Sequence, residues 1–190
     1  MWERVIRELP ANATHTGRAY FAVAVCYSQE LREYQKGIEY YKEMVANWPH
    51  HDYGCYAQYN IGKYYKRLRD SGELPKDQAN PKIEAAWQAV LDNYPDCDWQ
   101  NHTCYVLGGL KYQEEKYAEA AECYWNFIAQ CKNAERTADA LLRLGQTFEK
   151  MGGVDAAAEV YERFLKTVGA NDRRIRGVRE RIKQLKGKDQ

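Results

Sequence analysis

The chain has 190 residues, 45% hydrophobic and 29% charged, with 28 Lys and Arg against 27 Asp and Glu. This is the composition of an ordinary globular domain, and a formal charge of +1 counts against a dedicated nucleic-acid binder, which needs a strongly basic surface. No run of about 18 apolar residues is present to suggest a transmembrane helix, and Met1-Trp2-Glu3-Arg4 does not open a secretory leader.

Trp2, Val5, Ile6 and Leu9 begin the chain with apolar residues at helical spacing, ended by Pro10. The spacing i, i+3, i+4, i+7 makes one stripe on a helix, and a terminal Pro or Gly stops it. The same pattern returns at Tyr41 to Pro49 and Trp87 to Pro95, and without the proline at Tyr124 to Lys132 and Tyr161 to Gly169. Each copy is therefore the second half of an amphipathic helix with its exit turn. A second element alternates with it, a small residue followed by an aromatic: Ala24 with Tyr27, Gly62 with Tyr65, Gly108 with Tyr112, and Gly145 with Phe148. Glycine inside a helix costs about 1 kcal/mol relative to alanine and marks the close approach of another element. Two helices are thus expected to pack tightly in each unit, repeating at the intervals typical of helical hairpins.

In chain order, residues 1–17 read as a half-repeat, with a helix from Trp2 to Leu9 and an exit loop from Pro10 to Gly17. Full repeats follow at 18–52, 53–98, 99–134 and 135–171, and residues 172–190 read as a capping helix. The second repeat holds a polar insertion at 70–80, from Asp70 to Asn80, read as a loop. Asn80-Pro81-x-x-Glu84 predicts a helix restart with Asn80 as N-cap and Pro81 at the first helical position. The final helix has an apolar stripe of Ile175, Val178, Ile182 and Leu185. Its other face is basic: from Asp172 onward there are eight Lys and Arg against three acids, which suits a solvated helix C-terminus.

Ala140-Leu141-x-x-Leu144-Gly145-x-x-Phe148, then Gly152-Gly153-Val154-x-x-Ala157 and Tyr161-x-x-Phe164, resemble the tetratricopeptide repeats, as does Tyr117-x-x-Ala120-x-x-x-Tyr124. The departures are Gly37 and Ile83 at the small position of the second helix, Cys104 at a usually aromatic position, and a longer period. The resemblance implies an all-α fold, a right-handed superhelical solenoid of about four antiparallel hairpins between the half-repeat and the cap. Repeats closing on an aromatic and Pro (Trp48-Pro49, Tyr94-Pro95) are similar to those of bacterial outer-membrane assembly and Tol-Pal coordination proteins. That narrower likeness would imply the periplasm or cell envelope for a fragment of a longer chain; otherwise the cytoplasm is expected. Trp2 to Leu9 lacks a partner helix, so a fragment or a native half-repeat cap are both open, and its bare stripe is a candidate for self-association.

Chemistry-bearing motifs are absent. There is no phosphate loop, nucleophile elbow or H-E-x-x-H, so no enzyme activity, cofactor or catalytic residue is expected. Of the six cysteines, Cys26, Cys104 and Cys123 sit where small apolar residues pack. The set Cys97, His102, Cys104 and Cys131 matches no strong zinc spacing, so no metal is expected, and His50 and His51 are adjacent residues that point apart. What remains is surface. Solenoids bind along the wall formed by the first helix of each hairpin. There the sequence offers Tyr56, Tyr59, Asn60, Lys63 and Arg67, then His102, Tyr105 and Tyr112, then Arg143 and Gln146, with Phe21 and Val25 in the first repeat. Tyr and Arg favour a protein or peptide partner with apolar anchors and some acidic groups. Family members that clamp a partner's C-terminal carboxylate use Lys and Asn here; Asn60, Lys63 and Arg143 partly match, but Phe21 and Val25 do not. The alternatives are a structural segment of a larger repeat protein, and nucleic-acid binding through Tyr, Lys63, Arg67 and the basic last helix.

Overall fold

The computed structural model describes residues 14–187 and Ile6, so the rest of the Trp2 to Leu9 half-repeat, with its candidate self-association stripe, lies outside the described residues. Nine α-helices follow among the described residues: α1 (Thr14–Val25), α2 (Tyr34–Asn47), α3 (Gly54–Asp70), α4 (Lys76–Asn93), α5 (Asp98–Gln113), α6 (Tyr117–Gln130), α7 (Ala134–Lys150), α8 (Val154–Thr167) and α9 (Ile175–Lys186). A π-helical turn, Cys26–Glu30, extends α1. The chain forms two compact units, Met1–Thr103 and Cys104–Gln190, divided within α5.

In the first unit α1 packs on α2, α2 on α3, and α3 on α4. Its core is Ile38, Tyr41, Met44, Ile61, Tyr64, Tyr65, Ile83, Trp87 and Val90, all buried. In the second unit α6 packs on α7, α7 on α8 and α8 on α9, around Leu107, Leu110, Tyr124, Phe127, Leu141, Leu144, Tyr161 and Phe164. The two repeated sequence elements meet each other. A Cβ placed on Gly62 would lie 2.4 Å from the Trp87 indole nitrogen, and one on Gly145 would lie 2.4 Å from the Tyr161 ring. At Gly108 the neighbours are Cys123 and the Tyr124 ring, both at 3.1 Å. At these three positions the glycine of the first helix is the seat for the anchor aromatic of the second, which is why neither can drift without the other. Gly37 has its own cause. The π-helical turn brings Ser28 against α2, where a Cβ on Gly37 would sit 2.8 Å from the Ser28 Cβ; Ser28 Oγ donates back to the Ala24 carbonyl at 2.7 Å.

Two sequence expectations are corrected. The exit loop does not reach Gly17, because α1 starts at Thr14; Thr16 and Gly17 are buried, and Gly17 packs against the Trp48 ring. The polar insertion is not a loop throughout. Helix α4 starts at Lys76, with Pro75 as its N-cap and Pro81 inside it, so Asn80 is not an N-cap. Ala79 and Asn80 are buried, and Arg69 Nη1 donates to Asn80 Oδ1 at 2.9 Å. Tertiary burial of that extra turn on α3 outweighs the single helical hydrogen bond Pro81 cannot make. Cys55 and Cys97 form a disulfide, with Cα atoms 6.4 Å apart. The two sit at the starts of α3 and α5, where the exit turns of successive repeats bring first helices side by side.

The hairpin turns share one backbone conformation. Arg32, Gly72, Glu115 and Gly152 each adopt a positive φ, between 58° and 80°. In two of these turns the next residue reaches back five positions, Lys116 N–H to the Lys111 carbonyl at 3.0 Å and Gly153 N–H to the Phe148 carbonyl at 2.9 Å. This closes the first helix with a left-handed residue, as glycine does most readily. Gly152→Ala is therefore expected to cost about 1 kcal/mol, whereas Glu115→Gly, relieved of its side-chain strain, is expected to be neutral or stabilising by up to about 0.5 kcal/mol. Urea midpoints of the two variants check the opposite signs.

Candidate partner-binding surfaces

In the first unit, the first helices of three repeats present a continuous run of aromatic rings. Tyr53 and Tyr56 lie one helical turn apart at the start of α3, and Trp99 and His102 one turn apart on α5, so each pair shares a face. Phe21 of α1 stacks on Tyr53, ring centroids 4.6 Å apart, and contacts Tyr56 at 5.6 Å. Tyr56 stacks on Trp99 at 4.7 Å, and Trp99 on Tyr59 at 4.6 Å. His102 closes the run, its Nε2 3.1 Å from the Tyr59 hydroxyl. Phe21, Tyr53, Tyr56, Trp99 and His102 are half-buried. The rings support one another through stacked contacts and remain partly exposed.

Tyr59 and Asn60 do not belong to an open wall. Tyr59 is 7% exposed and Asn60 0%. Helix α3 is packed between neighbours and buries most of its circumference, from Gly54 through Leu68, so a wider arc is covered than an outward stripe allows. Burial pushes the Tyr59 phenol up to about 12. The Asn60 amide has no hydrogen-bond partner among the described groups, and its burial removes it from any carboxylate clamp. Lys63 is half-buried, with its ammonium 5.1 Å from the Tyr64 ring centroid, and Arg67 is exposed one turn further along α3. The cysteines and His102 do not converge, since Cys97 is committed to Cys55; among the described residues no group of three or more His, Cys, Asp or Glu could hold a metal ion.

In the second unit, Tyr105 turns inward, its ring 5.2 Å from Phe127 and 5.8 Å from Tyr124. Tyr112, Arg143 and Gln146 are brought together. They line an open cavity of about 670 Å³ with Leu142, Glu149, Lys150, Tyr161, Gly177, Val178 and Arg181. Helix α7 supplies one wall through its outward face and α9 supplies the other. Helix α9 is held there by Arg181, whose guanidinium pairs with Glu149, and by Arg174, which bridges Asp172 and Asp139. The Tyr161 hydroxyl donates to Glu149 Oε1 at 2.7 Å, and burial together with that carboxylate raises the phenol's pKa. The Arg174 guanidinium holds the Asp172 carboxyl down at about 2.

Sequence reading missed Tyr53, Trp99, Tyr161 and Arg181. For the first two a signal existed, since each stands three residues before a predicted wall residue, Tyr56 and His102. For Arg181 there was none, because its partner Glu149 is 32 residues earlier in the chain.

Residues 139–168 match the tetratricopeptide repeat family. Among solved structures the fold is similar to that of the MamA protein, with a TM-score of 0.64 and 17% identity over 87% of this chain and 78% of that one. It is similar also to PilW, described as a widely conserved type IV pilus biogenesis factor, with a TM-score of 0.61 and 14% identity over 93% and 71% of the two chains. A putative kinesin light chain of Podosopora anserina with nearly identical TPR-like repeats gives a TM-score of 0.51 and 14% identity over 94% and 99%. No curated protein sequence matches the chain. The chain thus carries a tetratricopeptide repeat at residues 139–168 and has the all-α helical-repeat solenoid fold of such proteins.

Proposed function

We propose that this chain is a non-catalytic interaction scaffold that takes a peptide or protein partner along its first helices. The observation that carries this reading is the run Phe21, Tyr53, Tyr56, Trp99 and His102, half-exposed aromatic rings contributed by three successive first helices. Rigid aromatic side chains supply contact area at small entropic cost and dominate binding hot spots. A partner segment with apolar anchors spaced along its length would bury its side chains between these rings. The Cys55–Cys97 disulfide favours an oxidising compartment, as in the cell envelope, since such bonds persist there.

Selection of a random displayed dodecapeptide library on the purified chain tests the reading. Enriched peptides are expected to lose about tenfold or more in affinity against Tyr56→Ala or Trp99→Ala, the loss of one hot-spot residue. Melting curves establish that each variant is folded. No enrichment on the wild type, or equal affinity for folded variants, would count against the aromatic run as the binding face.

A further inference from the structure

The cavity between α7 and α9 has a charge balance that the aromatic run lacks. Three cations, Arg143, Lys150 and Arg181, face one carboxylate, Glu149. That carboxylate is already satisfied, since Arg181 pairs with it through two guanidinium nitrogens and the Tyr161 hydroxyl donates to it. Arg143 and Lys150 are exposed and make no ion pair among the described residues. They stand on one side of α7 with Gln146 between them, at spacings of three and four residues that align all three along the helix. The remaining lining is Leu142 and Val178, with the rings of Tyr112 and Tyr161. A volume of about 670 Å³ has the size of a ligand pocket and exceeds what a single ion would need. One further residue keeps the mouth open. Gly177 lines the cavity from α9, and a Cβ there would meet nothing within 4 Å. A glycine inside a helix, with neither a tight contact nor a positive φ to require it, leaves space where any other residue would place a side chain.

We propose that this cavity is a second binding site, which receives an acidic segment of a partner protein. Asp or Glu carboxylates of that segment pair with Arg143 and Lys150, the Gln146 amide donates to the same groups or to the segment's backbone, and an adjacent apolar side chain lies between Leu142, Val178 and Tyr112. The site deepens the scaffold reading, on which it rests, by adding a charged subsite in the second unit. Helix α9 is then a wall of the site as well as a cap, and its docking through Arg181 and Arg174 is a condition for the pocket to exist.

The test uses the full chain and the same displayed dodecapeptide library, with peptides counter-selected on Gly177→Glu. That substitution adds a carboxylate at the cavity lining, from a position where a Cβ meets nothing within 4 Å, and improves helix propensity, so the variant is expected to fold. Peptides retained by the wild type but not by Gly177→Glu are expected to be enriched in Asp and Glu. Their affinity is expected to fall about tenfold or more in Arg143→Gln/Lys150→Gln and to weaken with added salt. Replacing their acids with amides is expected to have the same effect. The proposal is overturned if counter-selection removes no acidic peptides, or if the Arg143→Gln/Lys150→Gln chain binds them unchanged. If every enriched peptide depends on Tyr56 and Trp99 and none on Gly177, the scaffold reading stands and this site is refuted; no enriched peptide at all would refute both.

Discussion

Trp87→Ala is expected to destabilise the protein by about 3–5 kcal/mol, the range for emptying a large buried aromatic site. Trp87 is 2% exposed, its indole nitrogen donates to the Tyr59 carbonyl at 3.2 Å, and its ring fills the space over Gly62. The sharper form of the result concerns the pair. Gly62→Ala alone brings a methyl to within 2.4 Å of an indole held by that hydrogen bond, so the ring must shift, at a cost of about 1–3 kcal/mol. In a Trp87→Ala background the obstacle is gone, and the same substitution should gain up to about 1 kcal/mol from helix propensity. A double-mutant cycle by urea denaturation reads the sign reversal directly. If Gly62→Ala is equally damaging in both backgrounds, the glycine is not there for the tryptophan.

Loss of the Cys55–Cys97 disulfide is expected to lower stability by about 4 kcal/mol, the chain-entropy value for a closed loop of this size. The two residues are 42 apart in sequence and join the starts of α3 and α5. Reductant should therefore reduce the stability of the wild type and leave a Cys55→Ser/Cys97→Ser variant unmoved. Thiol titration of the unfolded chain separates this pairing from others. Cys26, Cys104, Cys123 and Cys131 are free, so four thiols should react before reduction and six after it. In the folded chain Cys26 is exposed and should react first, while burial raises the Cys104 thiol and pushes that of Cys123 up to about 12. Six reactive thiols in the unreduced, unfolded chain would sink the assignment.

The repeat architecture was readable from residue order because its causes are local and periodic. An apolar residue every third or fourth position makes a helix face, and a Pro or Gly after Trp48, Tyr94 or Val168 ends it. A close approach at Gly62 and Gly145 was expected from the glycines themselves, and the structure supplies the partners, the Trp87 and Tyr161 rings. The insertion was misread because Asp70 to Asn80 carries turn-forming residues, and nothing local reveals that Ala79 and Asn80 are buried against α3. Asn60 was misplaced on the wall for a related reason. Helical spacing gives the direction of a side chain, but the width of the buried arc depends on how many neighbours surround the helix.

The sequence by itself determined the all-α hairpin repeat, the close approach at the small residue of each first helix, and the absence of any recognised catalytic motif, because each is written in residues within a few helical turns of one another. Tertiary structure alone decided which tyrosines remain at the surface, which two cysteines pair, and that Tyr112, Arg143, Gln146 and Arg181 surround one cavity. Those outcomes depend on separations of tens of residues along the chain, where neither period nor propensity carries information. Only the packing of one helix against another specifies what faces what.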